Sequence, residues 1–242
     1  MRFRKIVKMF KKGNVCVTGL RGTGKDVLMG NVINRVKYPY ISNLDYGENL
    51  KKKRVRLNLD LEKLDIKNNY NDFISGKVNE YTYPFPKGAD IYVSDAGVYF
   101  PSQYCNKLNN QYEGLVNFQA LSRQIGQCNF HINVQNLNRL WDKIREQSEI
   151  YIRCNWCKVL FGKYVIQIVT IYDKYTSCLN RVKPCRVRVP LLGDRNARMN
   201  AKIYRDKWEN ENGIVKRRLL IYKNKSKHNT LYFGDLLSKG VK

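Results

Sequence analysis

The chain has 242 residues, with 45 Lys/Arg against 20 Asp/Glu and a formal net charge of +25. At 43% hydrophobic residues it can fill a core, which excludes global disorder, and its cationic excess calls for a polyanionic partner, either nucleic acid or an anionic membrane surface. The basic start MRFRKIVKMFKKG lacks the apolar stretch of a secretory signal, and no apolar run approaches the roughly 18 residues of a spanning helix, so secreted and integral-membrane classes are set aside.

In chain order the punctuation is that of an α/β protein. Residues 1–12 form a basic segment whose apolar members suggest an amphipathic helix suited to an anionic lipid surface. A short apolar strand over 14–18 ends at Gly19, and residues 25–36 carry apolar side chains at helical spacing. A second strand follows at 40–44, then the basic stretch KKKRVR at 51–56, read as a loop or a solvated strand edge. Residues 69–75 suggest a short helix, 89–93 a buried strand, 113–125 a helix and 129–135 another strand. Two β-rich runs, 150–161 and 163–172, meet at Gly162 as a hairpin. Alternating strands and helices predict a mainly parallel sheet with an antiparallel edge hairpin. From 177 onward the composition shifts, and residues 181–242 hold 17 Lys/Arg against five Asp/Glu. The predicted organisation is a basic segment (1–12), a nucleotide-binding α/β domain (13–176) and a basic α+β extension (177–242), the last with a helix over 197–208 and a strand over 214–222.

Seven cysteines in no framework spacing fit a reducing interior. Cys154 and Cys157, with Cys178 and Cys185 downstream, supply four thiols of the kind zinc uses, but the second CxxC is missing. An extended strand would place Cys154 and Cys157 on opposite faces.

The most specific motif is Gly19-Leu20-Arg21-Gly22-Thr23-Gly24-Lys25-Asp26, which matches G-x-x-x-x-G-K-[ST] at every position but the last. A strand precedes it and an amphipathic helix follows, the context in which backbone N–H groups of Gly19, Gly22, Thr23, Gly24, Lys25, Asp26 and Val27 can cradle phosphates. Lys25 then supplies a point charge to the β/γ oxygens of ATP. Asp26 replaces the usual hydroxyl ligand of Mg2+, and a carboxylate can also bind that ion. A second acidic site is expected at a neighbouring strand end, and Ser94-Asp95 follows the strand at 89–93. Asp95 is read either as the Mg2+-linked aspartate or as the base that orients an attacking water, with a simple turn before Gly97 as the bland alternative.

The phosphate loop, VSDAGVYFPS (93–102), SRQIGQCNFHINVQN (122–136) and LWDKIRE (140–146) occur in the order found in zonular occludens toxin-like ATPases. The resemblance covers roughly residues 14–160. That family resembles the morphogenesis ATPases of filamentous phages and is related to HerA/FtsK-type DNA translocases. It implies a RecA-like P-loop NTPase fold, with Ser94 in the family's Asp position and Asp95 in its Glu position. It further implies Gln135 as a strand-end polar sensor, and Arg123 and Arg145 as candidate fingers toward a neighbouring subunit. Gln135 can equally cap the next turn, and Arg123 can be a helix-end cation. The exchange of Asp26 for hydroxyl and Ser94 for carboxylate reads as a compensated swap around Mg2+.

Loop and charge together predict an ATP-driven nucleic-acid motor that binds without sequence preference, and the resemblance implies an ATPase coupled to export, packaging or assembly of single-stranded phage DNA. The resemblance implies a homo-oligomeric ring such as a hexamer. Candidate DNA contacts are Arg2, Arg4, Lys5, Lys8, Lys11 and Lys12, then Lys51, Lys52, Lys53, Arg54 and Arg56, and finally Lys216, Arg217, Arg218, Lys223, Lys225 and Lys227. Each cluster also reads as a solvated face. The expected location is the host cytoplasm, with peripheral contact at the inner membrane or with phage assembly proteins. The alternatives are a nucleotide-switched assembly protein at the membrane surface and a basic nucleic-acid binder with a vestigial phosphate loop.

Overall fold

The structure, a computed structural model, describes residues 3–36, 40–43, 56–58, 88–102, 129–187, 189 and 194–225. The predicted helices over 69–75 and 113–125 lie outside the described residues, as do Arg2, Lys51–Arg54, Arg123 and Lys227.

Short apolar runs bounded by turn residues form the strands. They are β1 (Val15–Thr18), β2 (Tyr40–Ser42), β3 (Arg56–Asn58), β4 (Asp90–Val93), β5 (Phe130–Val134), β6 (Ile150–Leu160), β7 (Tyr164–Tyr172) and β8 (Val215–Lys223). They join in one sheet of order β3-β2-β4-β5-β1-β6-β7-β8. Pairing is parallel from β3 through β6 and antiparallel for β6–β7 and β7–β8. β1, β2, β4 and β5 are buried throughout their length, as expected of strands covered on both faces. The expected α/β fold, a mainly parallel sheet flanked by helices with antiparallel strands at one edge, is what the chain adopts. β8, from the basic C-terminal region, supplies the outermost strand.

Helices α1 (Phe3–Phe10) and α2 (Lys25–Ile33) cover one face of the sheet. α1 turns Phe3, Ile6, Val7 and Phe10 into the core and leaves Arg4, Lys5 and Lys8 exposed. The apolar face expected to meet a lipid surface is thus committed to packing on α2 and β8, with Phe3 stacked on Tyr222 at 4.0 Å. The helix read as amphipathic, α2, is buried on nearly every side, because α1 and the end of β8 close over it. Its polar members find partners there: Asn31 Nδ2 donates to Val27 O and to Asn224 Oδ1, both at 2.9 Å.

The other face packs against α3 (Ala96–Tyr99), the turn Leu137–Arg139, α4 (Asp142–Glu146) and α5 (Tyr175–Leu179), with Trp208 of α6 (Arg195–Asn212) added at its rim. α6 buries none of its residues fully, and Asp194 caps it by accepting from the Asn196 and Ala197 N–H groups. His131 lies inside the sheet. Its Nδ1 accepts from Val15 N at 3.3 Å, so its Nε2 carries the proton directed at Asp90 Oδ2, 3.4 Å away. No helix among the described residues is long and apolar enough to cross a membrane.

Phe10 is fully buried and touches Tyr92 and His131 with its ring. Phe10→Ala should cost about 3–5 kcal/mol of stability in a urea denaturation series. Lys8→Ala, on the exposed side of the same helix, should change it by no more than about 0.5 kcal/mol.

Candidate functional site

The site forms where parallel strands end. β1 and β5 run in register, with Thr18 opposite Val134, and β4 pairs Val93 with Ile132. The residues that follow each strand, Gly19, Gln135 and Ser94-Asp95, therefore gather at one edge of the sheet.

The phosphate loop depends on glycine at two positions. Gly24 has φ +82°, and a Cβ there would lie 2.5 Å from Cys157 Cβ and 3.0 Å from Gln167 Nε2. Gly19 has φ +150°, with the Cys154 carbonyl oxygen 2.4 Å from where its Cβ would stand. These close approaches let β6 and β7 grip the loop from below. Gln167, fully buried, donates from Nε2 to Gly24 O at 2.9 Å and to Thr23 O at 3.3 Å. Tyr222 OH donates to Gln167 Oε1 at 2.9 Å, which ties β8 to the loop. Lys25 is buried, and its Nζ donates to Leu20 O at 3.3 Å, a carbonyl that also accepts from Thr23 Oγ1 at 2.7 Å.

Asp26 and Ser94, 68 residues apart, are in direct contact. Ser94 Oγ donates to Asp26 Oδ1 at 2.9 Å, and Asn133 Nδ2 donates to the same oxygen at 2.6 Å. Asn133 is fully buried and also bonds Ser94 Oγ (3.1 Å) and, through Oδ1, accepts from Asp95 N (2.8 Å). Asn43 pins the same strand end, accepting from Ser94 N at 2.8 Å and donating to Ser94 O at 2.9 Å. Sequence reasoning missed Asn133 and Asn43. The signal for Asn133 was an amide in the otherwise apolar FHINV strand.

Asp95 adopts φ 50° and ψ 44°, a left-handed conformation uncommon for a residue with a side chain. Partial burial raises its carboxyl above the usual carboxylate range, the nearby Asp26 charge raises it further, and Lys25 opposes both. Asp26, Ser94 and Asp95 present hard oxygen donors beside the phosphate loop, a set that fits Mg2+, which needs only one or two protein carboxylates alongside phosphates and waters.

Gln135 is exposed at the end of β5. The cap of the following turn is made by Asn136, which accepts from Asn138 N at 3.1 Å. Arg145 folds onto its own chain: Nη1 donates to Leu137 O at 3.3 Å, and the guanidinium lies 5.2 Å from the Tyr175 ring centre. Two cavities flank Leu20. The one of about 330 Å³ is lined by Arg153, Arg181, Lys183 and Arg217 with no carboxylate, and the one of about 130 Å³ by Gln135, Arg153 and Arg181 among others. Arg153 and Arg181, absent from the predicted contacts, add positive potential beside the loop.

Cys154 and Cys157 correct an expectation. A β-bulge at Asn155, between the pairs Cys154–Val169 and Trp156–Ile168, turns both thiols to the same face, under the phosphate loop. Burial pushes Cys157 up to about 11 and Cys154 higher still, which keeps both neutral near pH 7. Among the described residues no group of three or more His, Cys, Asp or Glu is arranged to hold a metal ion. Of the predicted nucleic-acid contacts that are described, Arg4, Lys5, Lys8, Lys11, Lys12, Lys216, Arg217, Arg218, Lys223 and Lys225 are all exposed.

Because Asp26 helps to raise Asp95, Asp26→Asn should move the Asp95 titration to lower pH, and Lys25→Met should move it to higher pH. Carboxyl carbon NMR across a pH series, without nucleotide, reads both shifts. A midpoint that ignores both substitutions would refute the assigned coupling.

No family model matches this chain, and no curated protein matches it. Among solved structures it is similar to the N-terminal domain of zonular occludens toxin from Neisseria meningitidis, at 12% identity, 70% of this chain, 90% of that chain and a TM-score of 0.39. It is also similar to the genome packaging NTPase B204 from Sulfolobus turreted icosahedral virus 2 in complex with ATP-gammaS (13% identity, 59% and 75% covered, TM-score 0.36). A third is EssC (ATPases 2 and 3) from Geobacillus thermodenitrificans (11% identity, 84% and 44% covered, TM-score 0.39). At these scores the likeness is one of outline, and the chemistry of the site rests on its own atoms.

Proposed function

We propose that this chain is a P-loop ATPase that couples ATP binding and hydrolysis to export, packaging or assembly of phage DNA, acting as a homo-oligomer. The observation that carries the reading is the convergence of Lys25, Asp26, Ser94 and Asp95 at the carboxyl ends of the parallel strands β1 and β4, bridged across the intervening β5 by the Asp26–Ser94–Asn133 hydrogen bonds. The net charge of +25 supports the polyanionic partner.

In this reading the backbone N–H groups from Gly22 to Val27 and the N-terminus of α2 hold the phosphates. Lys25 leaves Leu20 O and meets the β/γ oxygens, and the cationic walls of the flanking cavities attract the same anion. Asp26, Ser94 and Asp95 would hold Mg2+, which neutralises charge developing on the transferred phosphoryl group. If Asp95 stays outside that metal set, its carboxyl, raised by partial burial and by the Asp26 charge, instead orients the attacking water and accepts its proton. Gln135, at the end of the strand next to β1, contacts the terminal phosphate. Arg123, outside the described residues, stays the finger candidate across a subunit boundary, whereas the Arg145 guanidinium is engaged by Leu137 O and Tyr175 of its own chain.

One observation favours a second reading. Asp26 places a carboxylate where phosphates approach, and its Oδ1 is already engaged by Ser94 and Asn133. A nucleotide-controlled assembly protein with negligible turnover would tolerate that arrangement.

ATP hydrolysis by the purified chain, measured with and without single-stranded DNA, separates the two readings. The ATPase reading expects DNA to stimulate turnover and Lys25→Ala to lower it about 10²–10³-fold. Hydrolysis indifferent to both would sink it. If Asp26 and Ser94 form a compensated pair, Asp26→Thr and Ser94→Asp should each weaken Mg2+-dependent turnover and the double variant should recover part of it. The coupling energy should be about 0.5–3 kcal/mol, whereas strictly additive losses would separate the two residues.

A further inference from the structure

Beyond the Tyr151–Tyr172–Val215 row, which is buried on the other side of the sheet, β6, β7 and β8 cover the core with one face. Val165, Gln167 and Val169 point into the layer under α1 and α2. On the opposite face the register aligns Trp156, Ile168 and Leu219 in one row, and Lys158, Ile166 and Ile221 in the next. Trp156 is 45% exposed, Leu219 53% and Ile221 64%. These two rows across three strands measure about 10 Å by 7 Å, and the neighbouring row of Arg153, Thr170 and Arg217 extends the strip to about 14 Å. Trp156 stands in the middle of this strip, between the row that carries Arg153 and the row that carries Lys158.

Its chemistry selects the occupant. The third row, Arg153–Thr170–Arg217, places two cations at the end nearest the phosphate loop, inside the cavity of about 330 Å³. Lys158 and Lys223 stand toward the far end. None of the residues in these rows is acidic. We propose that this face binds single-stranded nucleic acid, with bases stacked on Trp156 and its aliphatic neighbours and the backbone phosphates held by the flanking cations. The inference rests on the proposed nucleic-acid partner and assigns it a surface. A second copy of the chain is a poor fit, because an isologous contact would bring the same cations together with no carboxylate to meet them. A duplex also fits poorly, because its bases are already stacked and paired. The surface lies beside the phosphate loop through Arg153 and Cys154, so a bound strand would touch the wall of the nucleotide site.

The test is fluorescence anisotropy of labelled oligo-dT with the full chain, across a salt series. Trp156→Ala should weaken binding roughly 5- to 100-fold, as loss of one stacked base requires. Trp156→Phe should keep most of the affinity while losing most of the tryptophan quenching that oligo-dT induces, a readout that does not depend on stability. Lys158→Glu with Lys223→Glu should flatten the logarithmic salt dependence by at least about one unit. Duplex DNA of equal length should bind more weakly. Wild-type affinity in every variant would overturn this surface and leave the ATPase reading standing. Failure of the unaltered chain to bind oligo-dT would overturn the nucleic-acid partner itself. Equal losses on duplex and single strand would overturn the single-strand assignment. Loss of binding to phosphatidylserine vesicles in the same variants, with oligo-dT binding intact, would assign the face to lipid and overturn the proposal.

Discussion

The loop that defines the site keeps its shape because Gly24 has no side chain. Gln167 and Cys157 occupy the space a Cβ would need, and Gln167 binds two loop carbonyls from a fully buried position. An amide in the core is costly unless satisfied, and Gln167 is satisfied by the loop on one side and Tyr222 on the other. Tyr222 in turn stacks on Phe3. One chain of contacts thus runs from the N-terminal helix through the edge strand β8 and β7 to the phosphate loop. The basic terminal segments, which read as appendages, are structural partners of the most specific motif in the chain.

Asp26 is the second point of convergence. Its Oδ1 takes hydrogen bonds from the ends of β4 and β5, so the first turn of α2, the acidic strand end and the neighbouring strand move as a unit. In the common arrangement the loop gives a hydroxyl and the strand gives a carboxylate. Here Asp26 stands in the loop position and Ser94 at the strand end, and the two meet at 2.9 Å. Asn133 holds the pair and, through the Asp95 N–H, also fixes the turn that carries Asp95 in its left-handed conformation. Partial burial raises the Asp95 carboxyl, and the Asp26 charge held nearby raises it further.

Charge and apolar surface are distributed unequally over the two faces of the antiparallel strands. The face under α1 and α2 is closed, while the other keeps Trp156, Leu219 and Ile221 in contact with solvent among Arg and Lys side chains. The bulge at Asn155 produces this division. It shifts the strand by one residue, turning Cys157 inward and Trp156 outward.

The sequence by itself determined the strand–loop–helix unit, the parallel sheet, the terminal hairpin and the acidic strand end after β4. These are local signals: glycine spacing, apolar periodicity and turn residues within a dozen positions of one another. It also showed that Asp26 and Ser94 depart from the expected pattern, since both are legible as single positions. Only the tertiary structure decided that they touch, that Asn133 and Gln167 serve the site, that α2 is buried all round, and that Cys154 and Cys157 share a face. Each of these depends on partners 13 to 144 residues apart in the chain or on a single inserted residue in a ladder. Periodicity carries no information about such distant or register-breaking events, because a buried amide or a bulged strand is favourable only once its remote partner is in place.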